Sequence, residues 1–145
     1  MNQNDTPTPT RTLAIVKPDA VAAGHTGAIV EMIEHGGFIL RALRMMRLSI
    51  PQARAFYAVH AERPFYDSLV EFMTSGPVVV AALERGDAVA AWRALMGATN
   101  PAEAAEGTVR ARFGSSIERN STHGSDSPEN AAAEVGFFFS AADLL

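Results

Sequence analysis

Residues 120 to 127 read Asn-Ser-Thr-His-Gly-Ser-Asp-Ser, and no other window of the chain sets a candidate nucleophile among so many small polar side chains. His123 is the reacting group this window offers, since a neutral imidazole is a competent nucleophile toward a phosphoryl centre. Gly124 lets the backbone turn sharply or approach a ligand closely, and Ser125, Asp126 and Ser127 add short hydrogen-bonding groups directly after it. Ser127-Pro128-Glu129 then has the form of a helix start, with an N-cap serine, proline at the first helical position and an acid in the first turn. The imidazole would therefore sit beside a nascent helix N-terminus, whose free N–H groups and positive dipole end favour an anion such as phosphate.

Other residues extend that chemistry. Glu134, eleven positions after His123, can orient the imidazole if the chain doubles back over the following helix. Lys17, Arg93 and Arg110 are cations at element ends or in a long loop, where they can gather the charge of a polyphosphate. Phe65, beside Pro64 at a helix start, offers a ring on which a flat ligand stacks. No Gly-x-x-x-x-Gly-Lys-Ser/Thr loop and no Gly-x-Gly-x-x-Gly turn is present to mark a nucleotide independently. By spacing alone, three readings stay open: a phosphotransferase, a silent module that binds nucleotides, nucleic acid or a protein, and a phosphohistidine relay. His25 and His35 are read as turn and helix-end residues without chemistry.

The elements that must position these groups follow from pattern. Thr12 to Val16 is a short β-leaning run stopped by Pro18, which leaves Lys17 at the strand end. Gly27 to His35 has helical spacing and stops at Gly36-Gly37. Phe38 to Leu48 changes parity midway, as a long strand with a bulge does. Ser49 to Gln52 matches a capping box for a helix reaching about His60, and Phe65 to Thr74 is a second helix with Phe72 in the core. Val78 to Leu83 is an unbroken aliphatic run, predicted to be a central buried strand. Asp87 is the expected cap of a helix carrying Val89, Trp92 and Leu95, with Arg93 on its outer side. From Gly97 to Arg119 periodicity vanishes, and a loop of that length is usually functional or misassigned. A short strand at Asn120 to His123 and a helix from Pro128 to Phe139, with Ala132, Val135, Phe138 and Phe139 facing a core, complete the order. Two β-α-β units sharing one sheet give an α+β, ferredoxin-like (βαββαβ) fold, a four-stranded antiparallel sheet covered by helices.

Composition narrows the function classes. At 145 residues with 48% apolar residues, the chain supports one domain with one good core. A formal net charge of −4 argues against non-specific binding to duplex nucleic acid. The absence of cysteine removes thiolate zinc sites, disulfides and thiol nucleophiles, and favours a reducing cytoplasm. Residues 1 to 10 are polar, contain a Thr-Pro-Thr-Pro-Thr run and lack a signal-like apolar stretch, so a flexible tail is expected before a domain spanning 11 to 145. No apolar run approaches a bilayer-spanning length, which predicts a soluble protein.

With those residues in view, the chain resembles the nucleoside diphosphate kinases, of the bacterial type. The octet from Asn120 to Ser127 is similar to that family's active-site signature. Val16-Lys17-Pro18-Asp19, Arg63-Pro64-Phe65, Ser75-Gly76-Pro77, Gly97-Ala98-Thr99-Asn100-Pro101 and Gly107-Thr108-Val109-Arg110 follow the family's order and approximate spacing. The resemblance covers roughly Arg11 to Phe139, with Ala20 in place of a common glycine and Ile117 in place of valine or leucine. It implies a ping-pong reaction in which His123 takes the γ-phosphoryl group of a nucleoside triphosphate, chiefly ATP, and passes it to a nucleoside diphosphate, maintaining nucleotide pools. Nδ1 would be the phosphorylated atom and Glu134 would hold the other ring nitrogen. Lys17 and Tyr57 would lie near the transferred phosphate, Arg93, Thr99 and Arg110 on the other phosphates, and Lys17 and Asn120 on the ribose hydroxyls. Phe65 and Ile117 would stack on the two faces of the base, a contact that reads no hydrogen-bonding edge and so tolerates every base. The resemblance also implies Mg2+ carried in with the nucleotide, with Asp126 at most a water-mediated helper and no direct protein ligand. It further implies a homo-oligomer, a tetramer before a hexamer, with no membrane and no specific nucleic acid as partner.

Overall fold

A computed structural model describes residues 7–145, so the first part of the expected tail, residues 1–6, lies outside the described residues. Four strands, β1 (Pro9–Val16), β2 (Ile39–Met46), β3 (Val78–Gly86) and β4 (Thr122–Gly124), form one sheet in the order β2-β3-β1-β4. All three pairings are antiparallel. Helices α1 (Pro18–Ala22) and α2 (Thr26–His35) follow β1; α3 (Ile50–Phe56) and α4 (Tyr66–Met73) join β2 to β3; α5 (Ala88–Met96) and α6 (Val109–Phe113) precede β4; and α7 (Pro128–Phe138) follows it. This is the ferredoxin-like α+β sheet that the order of patterns predicts.

Both faces of the sheet are covered, which explains why β1 and β3 read as unbroken apolar runs. Successive strand residues point to opposite faces. Leu13 and Ile15 of β1 therefore join a core with Ala53, Tyr57, Val70, Phe72, Val135 and Phe138 from α3, α4 and α7 and the segments beside them. Ala14 and Val16 join a second core with Ile29, Ile33, Trp92, Met96 and Val109 from α2, α5 and α6. The bulge expected in β2 lies between Leu40 and Ala42, where the register against β3 slips. Ser49 and Gln52 form the expected capping box of α3, the Ser49 side chain accepting from Gln52 N and the Gln52 side chain accepting from Ser49 N.

Several expectations are corrected. β1 begins at Pro9, with Thr10 paired to Arg85, so the boundary placed between residues 10 and 11 falls inside a strand. The Pro18 stop also opens helix α1, because proline with no N–H is suited to a first helical position. Helix α3 ends at Phe56, and Ala58–His60 continues as a 3-10 turn. Asp87 does not cap α5 with its side chain; it takes a left-handed conformation with φ 53°, and Thr10 Oγ1 accepts instead from Ala88 N at 2.9 Å. Helix α5 buries Trp92 as expected, but with Ala88 and Met96 rather than Val89 and Leu95, which are half-buried, and α7 buries Ala131 rather than Ala132. β4 lies at Thr122–Gly124 rather than at Asn120 to His123. The long loop was misassigned in part. It contains a 3-10 turn at Pro101–Glu103 and helix α6, capped by Thr108 Oγ1 accepting from Ala111 N at 3.3 Å. A five-residue helix is shorter than two turns, too short to leave a periodic trace.

Candidate active site

His123 sits in the middle of β4, paired across the ladder with Ile15 of β1. Its carbonyl accepts from Trp92 Nε1 at 3.1 Å, which ties the strand to α5. Gly124 owes its identity to the same contact: a Cβ there would stand 2.6 Å from Trp92 Cδ1, so the residue allows close packing on α5 rather than a turn. The imidazole is partly open, with a side chain 20% exposed, so it is neither sealed in the core nor loose on the surface.

The ring is held through one nitrogen. Nε2 lies 2.6 Å from Glu134 Oε1, as predicted from the eleven-residue spacing. An ionised carboxylate only accepts, so this contact places the proton on Nε2 and leaves Nδ1 with its lone pair. Ser125, which the sequence marked only as a small polar neighbour, donates from Oγ to the same Glu134 oxygen at 3.2 Å and accepts from Leu13 N at 3.3 Å. Phe56 and Tyr57 pack edgewise on the imidazole, with ring centroids 5.4 and 6.2 Å away. Tyr57 is buried and its hydroxyl has no partner among the described residues. Burial, aided by the Glu134 carboxylate, pushes the phenol pKa well above its usual range, so Tyr57 remains an O–H donor.

The cations converge as the spacing suggested, and more tightly. Lys17 is 8% exposed, which rules out the solvated lysine that a strand-end position usually gives. Its Nζ donates to Asn120 Oδ1 at 2.9 Å and to the Glu118 carbonyl at 3.4 Å. Burial, then the Arg110 guanidinium, lowers its pKa to about 8, against the opposing pull of Asp19 and Glu118. Arg110 donates to the carbonyls of Gly97 at 3.0 Å and Thr122 at 2.9 Å. Burial, then Arg93, lowers its pKa to about 10. Arg93, Thr99 and Arg110 line one cavity of about 450 Å³. Like charges gathered in a partly dry crevice repel one another, and an anion with several negative oxygens relieves that repulsion.

Asn120 is 2% exposed, and its amide bridges Lys17 to the Thr99 carbonyl, which accepts from Nδ2 at 3.0 Å. Next to it, Ser121 takes a left-handed φ of 71°, a strained state for a residue with a side chain. Asp19 accepts from Ser121 N at 3.1 Å, and Lys17 N donates to Ser121 O at 2.9 Å. Sequence reasoning missed Asp19 and Ser121; an acid after a strand-ending Lys-Pro was the available signal. Phe65 and Ile117 are 48% and 62% exposed, large apolar side chains left in water. Asp126 is exposed at the start of α7 and accepts from Asn130 Nδ2. No group of three or more His, Cys, Asp or Glu residues suited to a metal occurs among the described residues. His25 stacks on Phe113 with centroids 4.4 Å apart, and His35 lies 3.6 Å from Glu31 on the surface of α2.

Known proteins resemble this chain both in sequence and in fold. A family model described as nucleoside diphosphate kinase matches residues 10–144. The chain is 59% identical over 135 residues to a nucleoside diphosphate kinase of Methylobacterium sp. (strain 4-46), covering 93% of this chain and 96% of that one. It is 56% identical to the corresponding protein of Syntrophotalea carbinolica, covering 93% and 98% of the two chains. Among solved structures, the Aquifex aeolicus nucleoside diphosphate kinase superposes with a TM-score of 0.94 at 45% identity, covering 95% of this chain and all (100%) of that one. The Halobacterium salinarum nucleoside diphosphate kinase in complex with CDP superposes with a TM-score of 0.91 at 38% identity, covering 95% and 92%.

Proposed function

Because the chain belongs to the nucleoside diphosphate kinase family, and so to the phosphotransferases, we propose that it works by a ping-pong cycle through a phosphohistidine on His123. In the first half-reaction Nδ1 attacks the γ-phosphorus of a nucleoside triphosphate, chiefly ATP; the P–N bond forms as the bond to the bridging oxygen breaks, and the nucleoside diphosphate leaves. In the second half, a terminal oxygen of another nucleoside diphosphate takes the group back and frees the imidazole. The cycle maintains nucleoside triphosphate pools. The observation that carries this reading is the 2.6 Å contact between Nε2 and Glu134, which leaves the opposite ring nitrogen as the nucleophile.

Each side chain then has a task. Glu134 balances the positive charge that grows on the ring as Nδ1 bonds to phosphorus. The Lys17 ammonium and the Tyr57 hydroxyl donate to the transferred group; Arg93, Thr99 and Arg110 take the remaining phosphates. Phe65 and Ile117 enclose the base, and Lys17 with Asn120 reaches the ribose. Mg2+ would enter with the nucleotide, supplying charge neutralisation between its phosphates. The donor set fits that arrangement: the crevice offers cations rather than a cage of acids, and the exposed Asp126 would at most help hold such a metal through water.

A homo-oligomer, a tetramer in preference to a hexamer, completes the proposal. Its support is the edge strand β2, where Ile39, Leu43 and Met45 are all at least half exposed at 52%, 51% and 59%. A cytoplasmic site of action rests on the lack of cysteine. Among the described residues no helix is long and apolar enough to cross a membrane.

The test is incubation with γ-labelled ATP and Mg2+. The expected result is an acid-labile, base-stable label that His123→Ala abolishes and that any added nucleoside diphosphate discharges. Label that persists in His123→Ala, or that GDP cannot remove, eliminates the mechanism and leaves a binding module or a relay protein.

A further inference from the structure

The turn that carries Ile117 is closed on itself. Ser115 N and Ser116 N donate to Arg119 O at 2.8 and 3.3 Å, and Arg119 N donates to Ser116 Oγ at 3.0 Å. It is then fastened to α4 at two points. Ser68 Oγ donates to Glu118 Oε2 at 2.7 Å, and the Arg119 guanidinium lies 5.1 Å from the centre of the Phe72 ring. Ser68 stands one helical turn after Phe65, and Glu118 directly follows Ile117. The Ser68–Glu118 bond therefore ties together the two elements that hold out the exposed apolar side chains of Phe65 and Ile117, although fifty residues of chain separate them.

We propose that Ser68 and Glu118 are positioning residues, a side-chain clasp that sets the gap between Phe65 and Ile117 and thereby the affinity for the nucleobase. The proposal rests on the reading of those two residues as the walls of the base slot. A base held on both faces gains only if both walls stand at contact distance before it arrives, because ordering a loose lip on binding subtracts from affinity. A hydroxyl donating to a carboxylate is a short, charge-assisted bond suited to that purpose. Glu118 also presents its carbonyl to Lys17 Nζ at 3.4 Å, so the lip that bears Ile117 is registered against the phosphate-binding end as well. Neither Ser68 nor the Glu118 carboxylate bonds to Arg93, Thr99 or Arg110 among the described residues, and Ser68→Ala leaves Glu118 and its contact with Lys17 in place, so that variant acts chiefly on the base.

The test compares ADP with inorganic tripolyphosphate, a ligand with the phosphates and no base, by calorimetric titration of the full chain. Ser68→Ala should weaken ADP about fivefold, with tripolyphosphate changed less than about twofold, and Ser68→Thr, which keeps the hydroxyl, should restore ADP. In turnover assays the KM for nucleoside diphosphate should rise with kcat nearly constant. In the Ser68→Ala/Glu118→Ala double variant, the ratio of ADP to tripolyphosphate affinity should match that of Ser68→Ala, since the clasp is already open. Equal weakening of both ligands overturns the proposal, because the change then acts on the fold or the phosphate end. Unchanged ADP binding in Ser68→Ala alongside weakened binding in Phe65→Ala overturns the clasp and leaves the base slot standing. Unchanged binding in both variants removes the base slot and the clasp with it.

Discussion

In the proposed cycle Glu134 acts through the imidazole: its carboxylate, 2.6 Å from Nε2, sets the His123 tautomer and would steady the charge the ring acquires. Replacing it with the isosteric amide keeps a hydrogen-bond acceptor and removes the negative charge. Glu134→Gln should therefore lower kcat by about ten- to a hundredfold, with nucleotide KM little changed, as steady-state kinetics will measure. Ser125 still donates to the side chain there, so the variant should fold normally. In the proposed cycle Lys17 would set the other limit on the reaction. Its folded pKa of about 8 lies below the ordinary value of 10.5, so the ammonium present at neutral pH is lost as pH rises through about 8. The kcat/KM for nucleoside diphosphate should then fall above that pH, and the limb should disappear in Lys17→Met, at a lower plateau. The sign for stability is opposite. The unfolded chain holds this proton up to the higher value, so stability from this group grows as pH rises from about 8 toward 10.5.

β4 has only three residues, yet it carries the His123 imidazole, and it stays in register because three neighbours hold it. β1 pairs with it, Trp92 bonds to its central carbonyl, and Asp19 restrains the strained Ser121 at its entrance. Gly124 packs directly on α5, where an added Cβ would meet Met96 Cε and Trp92 Cδ1. A methyl group there cannot fit without displacing the fully buried Trp92 indole, so Gly124→Ala should destabilise the fold by about 1–3 kcal/mol, as overpacking does. Thermal unfolding of the variant against the parent measures this. A Tm unchanged within error would mean that α5 can shift without cost.

The sheet presents two buried faces and one unpaired apolar edge. Ile39, Leu43 and Met45 stand in water along β2, the outermost strand on the side away from His123, so association through that edge leaves the phosphate crevice open. A free edge of this kind invites another strand, and a charge placed on it is the usual remedy. Leu43→Asp should therefore shift the mass measured by light scattering toward the single chain and leave phosphohistidine formation in place. If the parent already scatters as a single chain, the proposed assembly is wrong.

The sequence alone singled out His123, Glu134 and the cations as candidates, because residue type and spacing within or just beyond one element suffice for that, while the roles proposed for them came from the family resemblance. His123 to Glu134 spans a strand and the next helix, and the Ser127 cap with Pro128 fixes where that helix starts. It determined the sheet as well, since two covered faces leave β3 apolar at every position from Val78 to Leu83. It did not determine what each polar group bonds to. Thr10 capping α5, Asp19 holding Ser121, Ser68 meeting Glu118 and Asn120 bridging Lys17 to Thr99 join residues that are distant in sequence, and no local pattern encodes such pairs. Helix α6 was illegible for a related reason: a single short helix shows its apolar side only once the core it faces exists. The candidate residues are thus legible in the chain, while their burial, protonation and aim belong to the tertiary structure, because desolvation and hydrogen bonding depend on what the folded neighbours supply.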